Sequence, residues 1–399
     1  MIFVGIDWER SNHHVTVLDK EGCQLLSMRV EHEPAALQQL AAQLEQLQSE
    51  PSQVRVCIEH HNGALLHWLL EQGYAVYALN PKSAERGRER YRASGAKDDR
   101  MDAFTLADTI RTDAGYLRQL QRPIELNQQL KSWLALRADL VEQKTAQAQR
   151  LRCLLAEWCP ALSHLCGDFD RIWQRALLAQ FPLQCDLAAT DQADLKAFCS
   201  RHGLRKATGK RLMQAAAARS LPIPAGRVEA LRWQVRQLVK AIGELVTQLA
   251  AVENRLQQLI QQHPDTELVE SLPISGPLTA AALLAGFGTQ QLVNWRELAA
   301  RWGVAPVTKQ SGKSRYAIRR RACDKFMCQT LISFAFNTAQ VKGCWARQYY
   351  QDKRDQGTDH FTALRCLAQR WLKVLSAMWR DGVPYDEQLH QNSRRQHAA

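Results

Sequence analysis

Nowhere does the sequence approach the roughly 18 consecutive uncharged apolar residues that a membrane helix requires, which excludes a spanning helix. The first residues, Met1 to Trp8, carry no basic leader before Asp7 and do not read as a signal peptide, so a cytoplasmic chain is expected. Paired cysteine motifs are also missing. Of the 11 cysteines no two form a CxxC, and the closest spacings, Cys153 with Cys159 and Cys323 with Cys328, do not suit zinc, so reduced and mostly core thiols are expected. Acids are in deficit, with 40 Asp and Glu against 52 Lys and Arg. The resulting charge of +12 favours a polyanionic partner, because neutralising phosphates releases counterions.

What is present divides along the chain. Residues 1–115 read as α/β. Ile2 to Ile6 is an apolar strand ending in Asp7, and His14 to Leu18 and Leu25 to Val30 follow as alternating strands. A helix opened by Pro34 carries Leu37, Leu40, Leu44 and Leu47 on one stripe; Val54 to Ile58, ending in Glu59, and Tyr74 to Leu79 are two further strands. The order β, β, β, α, β, α, β is that of a ribonuclease H-like fold.

Residues 116–263 read as two long helices around an insertion at 160–225. Leu126 to Leu155 lacks Gly and Pro, and Leu231, Val235, Leu238, Ile242, Leu245, Leu249, Val252, Leu256 and Leu259 alternate spacings of four and three, a coiled-coil seam. Pairing within one chain or between subunits satisfies that seam equally. Residues 264–385 form a third, mainly helical unit, in which Leu272 to Gly288 resembles a helix-hairpin-helix whose Gly-Pro turn exposes backbone amides to phosphate. Residues 386–399 are expected to be a disordered tail.

Four acids have the chemistry of a cation pocket. Asp7 and Glu59 end strands, while Asp99 and Asp102 sit three apart at the start of a helix predicted from Asp98 to Thr109, on one face. Carboxylates supply the hard oxygens that Mg²⁺ or Mn²⁺ prefers, and such ions assist phosphoryl transfer. The same residues also read as strand-end acids and an acid-rich helix N-terminus. His60 and His61 are adjacent and diverge, which favours the surface over ligation. Between Lys309 and Lys325 seven basic residues, Lys309, Lys313, Arg315, Arg319, Arg320, Arg321 and Lys325, face one acid, Asp324. This segment is expected to bind nucleic acid. Ser311 lies in it before Gly312, either as a nucleophile between lysines or as the turn of a basic loop.

GIDW at 5–8, IEHHNG at 58–63, AKDDRMDAFTLAD at 96–108, LPISGPLTAAALLAGFG at 272–288 and GVAPVTKQSGK at 303–313 together resemble the insertion sequence 110 family of transposases, including its 1111 subgroup. The resemblance spans almost the whole chain. It implies an N-terminal RuvC-like domain with a DEDD tetrad, here Asp7, Glu59, Asp99 and Asp102, holding Mg²⁺ or Mn²⁺. It further implies a C-terminal transposase domain whose serine, here Ser311, links transiently to DNA, with Ser314 as a second nearby hydroxyl. Donor and target DNA, a structured noncoding bridge RNA, a dimer or tetramer with composite active sites, and association with the nucleoid come with it. Asp98 stands where the family commonly has Thr. A RuvC-like endonuclease that only hydrolyses DNA and a noncatalytic nucleic-acid-binding protein are the alternatives, separated by whether Ser311 and the acids are needed.

Overall fold

The computed structural model describes residues 1–59, 63–79, 81–89, 98–117, 119–120, 122, 124–287, 294–312 and 314–388. His60, His61, Lys313, Gly288 and the tail from 389 lie outside them, as does the side chain of Arg315. The chain forms two compact units, Met1–Pro123 and Ile124–Ala399. Among the described residues no helix is long and apolar enough to cross a membrane.

The first unit has the element order read from the sequence: β1 (Ile2–Trp8), β2 (Asn12–Leu18), β3 (Gln24–Glu31), α1 (Pro34–Leu47), β4 (Val54–Ile58), α2 (Ala64–Glu71) and β5 (Ala75–Ala78), followed by α3 (Pro81–Glu89) and α4 (Asp99–Asp113). The sheet order is β3-β2-β1-β4-β5, antiparallel from β1 to β3 and parallel from β1 through β4 to β5. Alternation along β1 divides its side chains between two cores. Ile2, Val4 and Ile6 pack with Leu37, Leu40 and Leu44 of α1 and Leu65 and Leu69 of α2. Phe3, on the other face, packs with Leu106, Ala107 and Ile110 of α4 and with Ala84 of α3. The sheet is therefore covered on both sides, which is why β1 is buried to its penultimate residue.

Two long helices, α5 (Glu125–Trp158) and α11 (Ala225–Gln261), dominate the second unit. They run antiparallel against each other. Leu130 and Leu134 of α5 share a core with Leu256 and Leu259 of α11, whereas Leu151 and Leu155 share another with Leu231 and Val235. Arg137 bonds Glu253 at 2.8 Å between these ends. The seam is thus paired within the chain, and Leu238 is only half-buried while Val239 takes the core position. A straight helix drifts about 20° per heptad from a 3.5-residue repeat, which accounts for the shift by one residue.

The insertion holds α6 (Pro160–Leu165), α7 (Ile172–Gln180), α8 (Gln184–Ala188), α9 (Gln192–Arg201) and α10 (Lys206–Ala217) around one core with the α5 and α11 ends. The other core gathers α12 (Thr266–Glu270), α13 (Pro277–Phe287), α14 (Trp295–Arg301), α15 (Lys325–Gln340), α16 (Trp345–Asp355) and α17 (His360–Asp381). A buried polar chain locks it. The Asp265 N–H donates to His263 Nδ1 at 3.1 Å, leaving Nε2–H to donate to Asn127 Oδ1 at 2.8 Å, and the Asn127 amide donates to Leu284 O at 3.2 Å. Between α14 and α15 stands a two-stranded hairpin, β6 (Val307–Ser311) and β7 (Ser314–Ile318).

Candidate metal centre and basic hairpin

The acidic site is built by one close approach. At Gly5 a Cβ would lie 1.9 Å from Ala103 O and 2.4 Å from Ala107 N, so only glycine lets α4 rest directly on β1. That contact puts the first turn of α4 beside the end of β1. Asp98 caps the helix, its carboxylate accepting from the Arg100 N–H at 3.2 Å, which leaves Asp99 and Asp102 as the first-turn acids facing the sheet end. Oxygens of Asp7, Asp99 and Asp102 all lie within 4.8 Å of one another. Donors about 2.0–2.6 Å from a shared cation are separated by no more than roughly 4–5 Å, so this span fits one hard cation. Asp7 and Asp102 are 9 % and 5 % exposed, which sets the site at a sheltered rim.

Glu59 is not one of that trio. It follows Ile58, the register partner of Ile6, so it stands one step past the ladder beside Asp7. Burial first, and the charge of Glu59 second, push the Cys57 thiol up to about 12. Asp108, the last acid of the helix motif, is engaged elsewhere. It is bonded by Arg111 at 2.5 and 2.8 Å, and Arg111 also donates to Lys20 O at 3.4 Å, tying α4 to the β2–β3 turn. Sequence reading assigned nothing to His14, which sits directly opposite Asp7 on the antiparallel ladder; strand pairing was the signal that could have shown it.

On the opposite face of the same rim, His13 is 1 % exposed and its Nε2 lies 2.8 Å from His32 Nδ1. Burial first, and the charge of His32 second, lower its pKa to about 4. Its ring stacks on Trp8 with centroids 6.4 Å apart.

The basic segment of the second unit is the β6–β7 hairpin and the turn behind it. Ser311 closes β6 opposite Ser314, with Gly312 at φ 55° in the turn between them. Lys309, Gln310, Ser311 and Gly312 are all exposed, as are Arg319 and Arg321, whereas Arg320 is half-buried. Behind the arginines Asp324 caps α15, accepting from Met327 N at 3.0 Å. Cys323 and Cys328, at the positions of a helix-start staple, pack against Gly303, whose φ of 72° and missing Cβ make room for the Cys323 sulfur.

Comparison with known proteins matches two segments of the chain to family models. Residues 4–160 match the IS110 DEDD transposase model, and residues 266–351 match the model described as transposase IS116/IS110/IS902 family. The chain is 28 % identical over 400 residues to the protein assigned to the IS117 mini-circle of Streptomyces coelicolor, covering 97 % of this chain and 96 % of that one. The 44.8 kDa protein of insertion element IS116 from Streptomyces clavuligerus is 27 % identical, with 95 % of each chain covered. The 43.6 kDa protein of insertion element IS110 from Streptomyces coelicolor is also 27 % identical, covering 97 % of this chain and 96 % of its own. Matched in order at both ends and aligned along nearly its whole length, the chain belongs to the IS116/IS110/IS902 family of transposases.

Proposed function

We propose that this transposase cuts and rejoins DNA by phosphoryl transfer, with Asp7, Glu59, Asp99 and Asp102 holding Mg²⁺ or Mn²⁺ and Ser311 taking temporary hold of the cut strand. The observation that carries this reading is the gathering of Asp7, Asp99 and Asp102 oxygens within 4.8 Å at one sheet end. The sheet order β3-β2-β1-β4-β5 supports a RuvC-like, ribonuclease H-like unit. Divalent cations bound there offset charge on the transferring phosphate and the leaving oxygen.

In the serine step the Ser311 Oγ attacks a backbone phosphorus and loses its proton. One P–O bond forms to serine as one breaks to a deoxyribose oxygen, which takes up a proton. The number of phosphoester bonds is unchanged, so reversal onto a different strand end rejoins DNA without an outside energy source. Exposed Lys309, Arg319 and Arg321, with Lys313, Arg315 and Arg320 in the same segment, supply positive charge for the phosphates. The Gly276–Pro277 turn that opens α13 is exposed and serves, in a helix-hairpin-helix role, as a further backbone contact to phosphate.

The same reading places the chain in the 1111 subgroup, with a structured bridge RNA pairing to donor and target, a dimer or tetramer as the working species and the nucleoid as its place of action. The charge of +12 supports polyanionic partners of both kinds.

The test is to incubate the protein with its element-end DNA, the flanking RNA and Mg²⁺. A protein–DNA adduct is expected in the wild type and absent from Ser311→Ala. An adduct that survives Ser311→Ala moves the nucleophile, with Ser314 the next candidate, and nicked DNA without any adduct points to simple hydrolysis.

A further inference from the structure

In an antiparallel ladder directly opposed residues share a face, and faces alternate along each strand. The β6–β7 register pairs Val307 with Ile318, Lys309 with Tyr316 and Ser311 with Ser314. One face of the hairpin therefore carries, from root to tip, Val307 and Ile318, then Lys309 and Tyr316, then Ser311 and Ser314. Thr308, Gln310 and Ala317 take the other face.

Tyr316 is 53 % exposed, and none of the ring–ring contacts among the described residues involves it. It stands diagonal to Ser311, a neighbour distance that an aromatic side chain can bridge. A half-exposed ring on a two-stranded hairpin contributes little to folding, yet it is flanked by a cation on the side where the candidate nucleophile projects. Two strand residues span roughly 6.6 Å, about two base rises of roughly 3.4 Å, so a base resting on Tyr316 lies within about two nucleotide steps of a phosphate at Ser311.

We infer that Tyr316 is a base-stacking platform that, with Lys309 on a nearby phosphate, seats a nucleotide within about two steps of the phosphate presented to Ser311. The ligand is one DNA strand with its bases unpaired at that step, since a ring can lie on a base face only when the base is unstacked from its neighbour. The inference rests on the Ser311 reading of the same hairpin. It adds a positioning residue whose contact is indifferent to sequence, because every base offers a π-face.

The experiment uses full-length protein in the Ser311→Ala background, so that binding is measured without chemistry. Element-end strands carrying 2-aminopurine at successive positions report stacking by quenching. Quenching confined to one or two adjacent positions is expected, lost in Tyr316→Leu with a rise in Kd of roughly 5- to 150-fold and retained in Tyr316→Phe and Tyr316→Trp. Unchanged melting temperatures check that the exposed substitution leaves the fold intact. Equal Kd and equal quenching in Tyr316→Leu overturn the proposal. In a second arm with Ser311 restored, Tyr316→Leu slows adduct formation by a similar factor while Tyr316→Phe forms adduct normally. Wild-type adduct rates in Tyr316→Leu overturn the stacking role and leave Ser311 standing; a Tyr316-dependent quenching signal without any wild-type adduct upholds the stacking site and removes the serine.

Discussion

Asp7 and Asp102 were visible in the sequence because a carboxylate ending an apolar strand and a DxxD pair at a helix start are local patterns. Gly5 was not, although the acidic rim depends on it. Its role is a contact between residues about a hundred positions apart in the chain, with Ala103 O and Ala107 N in the space a Cβ would fill. Gly5→Ala is predicted to cost about 3 kcal/mol or more, since both obstacles are backbone rather than flexible side chains. Thermal melting checks the loss, and cation binding should weaken in parallel as α4 is pushed off β1. His13 gives a second residue-scale prediction. Folding holds it neutral with a pKa near 4, against 6.5 ordinarily. Its contribution is therefore complete above pH 6.5 and is lost as pH falls toward 4, amounting to roughly 2–3 kcal/mol. Urea melts at pH 7 and pH 4.5 should show a smaller acid-induced loss for His13→Phe than for the wild type.

The elements with strong periodicity were the easiest to read. The heptad of α11 declared a long helix, and the structure adds its partner, α5 of the same chain, which spacing alone leaves open. It also sorts residues that the heptad treats as equivalent: Leu256 is fully buried whereas Leu238 is half-buried. Leu256→Ala is predicted to cost about 2–5 kcal/mol and Leu238→Ala clearly less, measured by denaturant unfolding. The β6–β7 hairpin was illegible as strands. Its residues are almost all exposed, so no apolar alternation marks it, and only its basic composition stood out. Pairing register, which composition cannot encode, is what puts Lys309, Ser311, Ser314 and Tyr316 on one face.

For the molecule as a whole, composition pointed to a polyanionic partner, and the motif order is matched by family models at both ends. The acids fall in the compact unit Met1–Pro123 and the serine in the compact unit Ile124–Ala399. Long-range charge should dominate affinity for DNA. The logarithm of the binding constant is predicted to fall linearly with the logarithm of salt concentration, and Lys309→Gln should reduce the magnitude of that slope by about 0.7–0.9 if the lysine neutralises one phosphate. Fluorescence anisotropy across a salt series reads it directly.

The claim beneath all of this is that the rim formed by Asp7, Asp99 and Asp102 binds a divalent cation. Calorimetric titration of the metal-free, full-length protein with Mn²⁺ tests it without DNA or catalysis. Saturable binding is predicted in the wild type, abolished by Asp7→Asn and by Asp102→Asn in proteins whose melting temperatures remain near normal. Mn²⁺ binding of undiminished affinity in both variants would contradict the account.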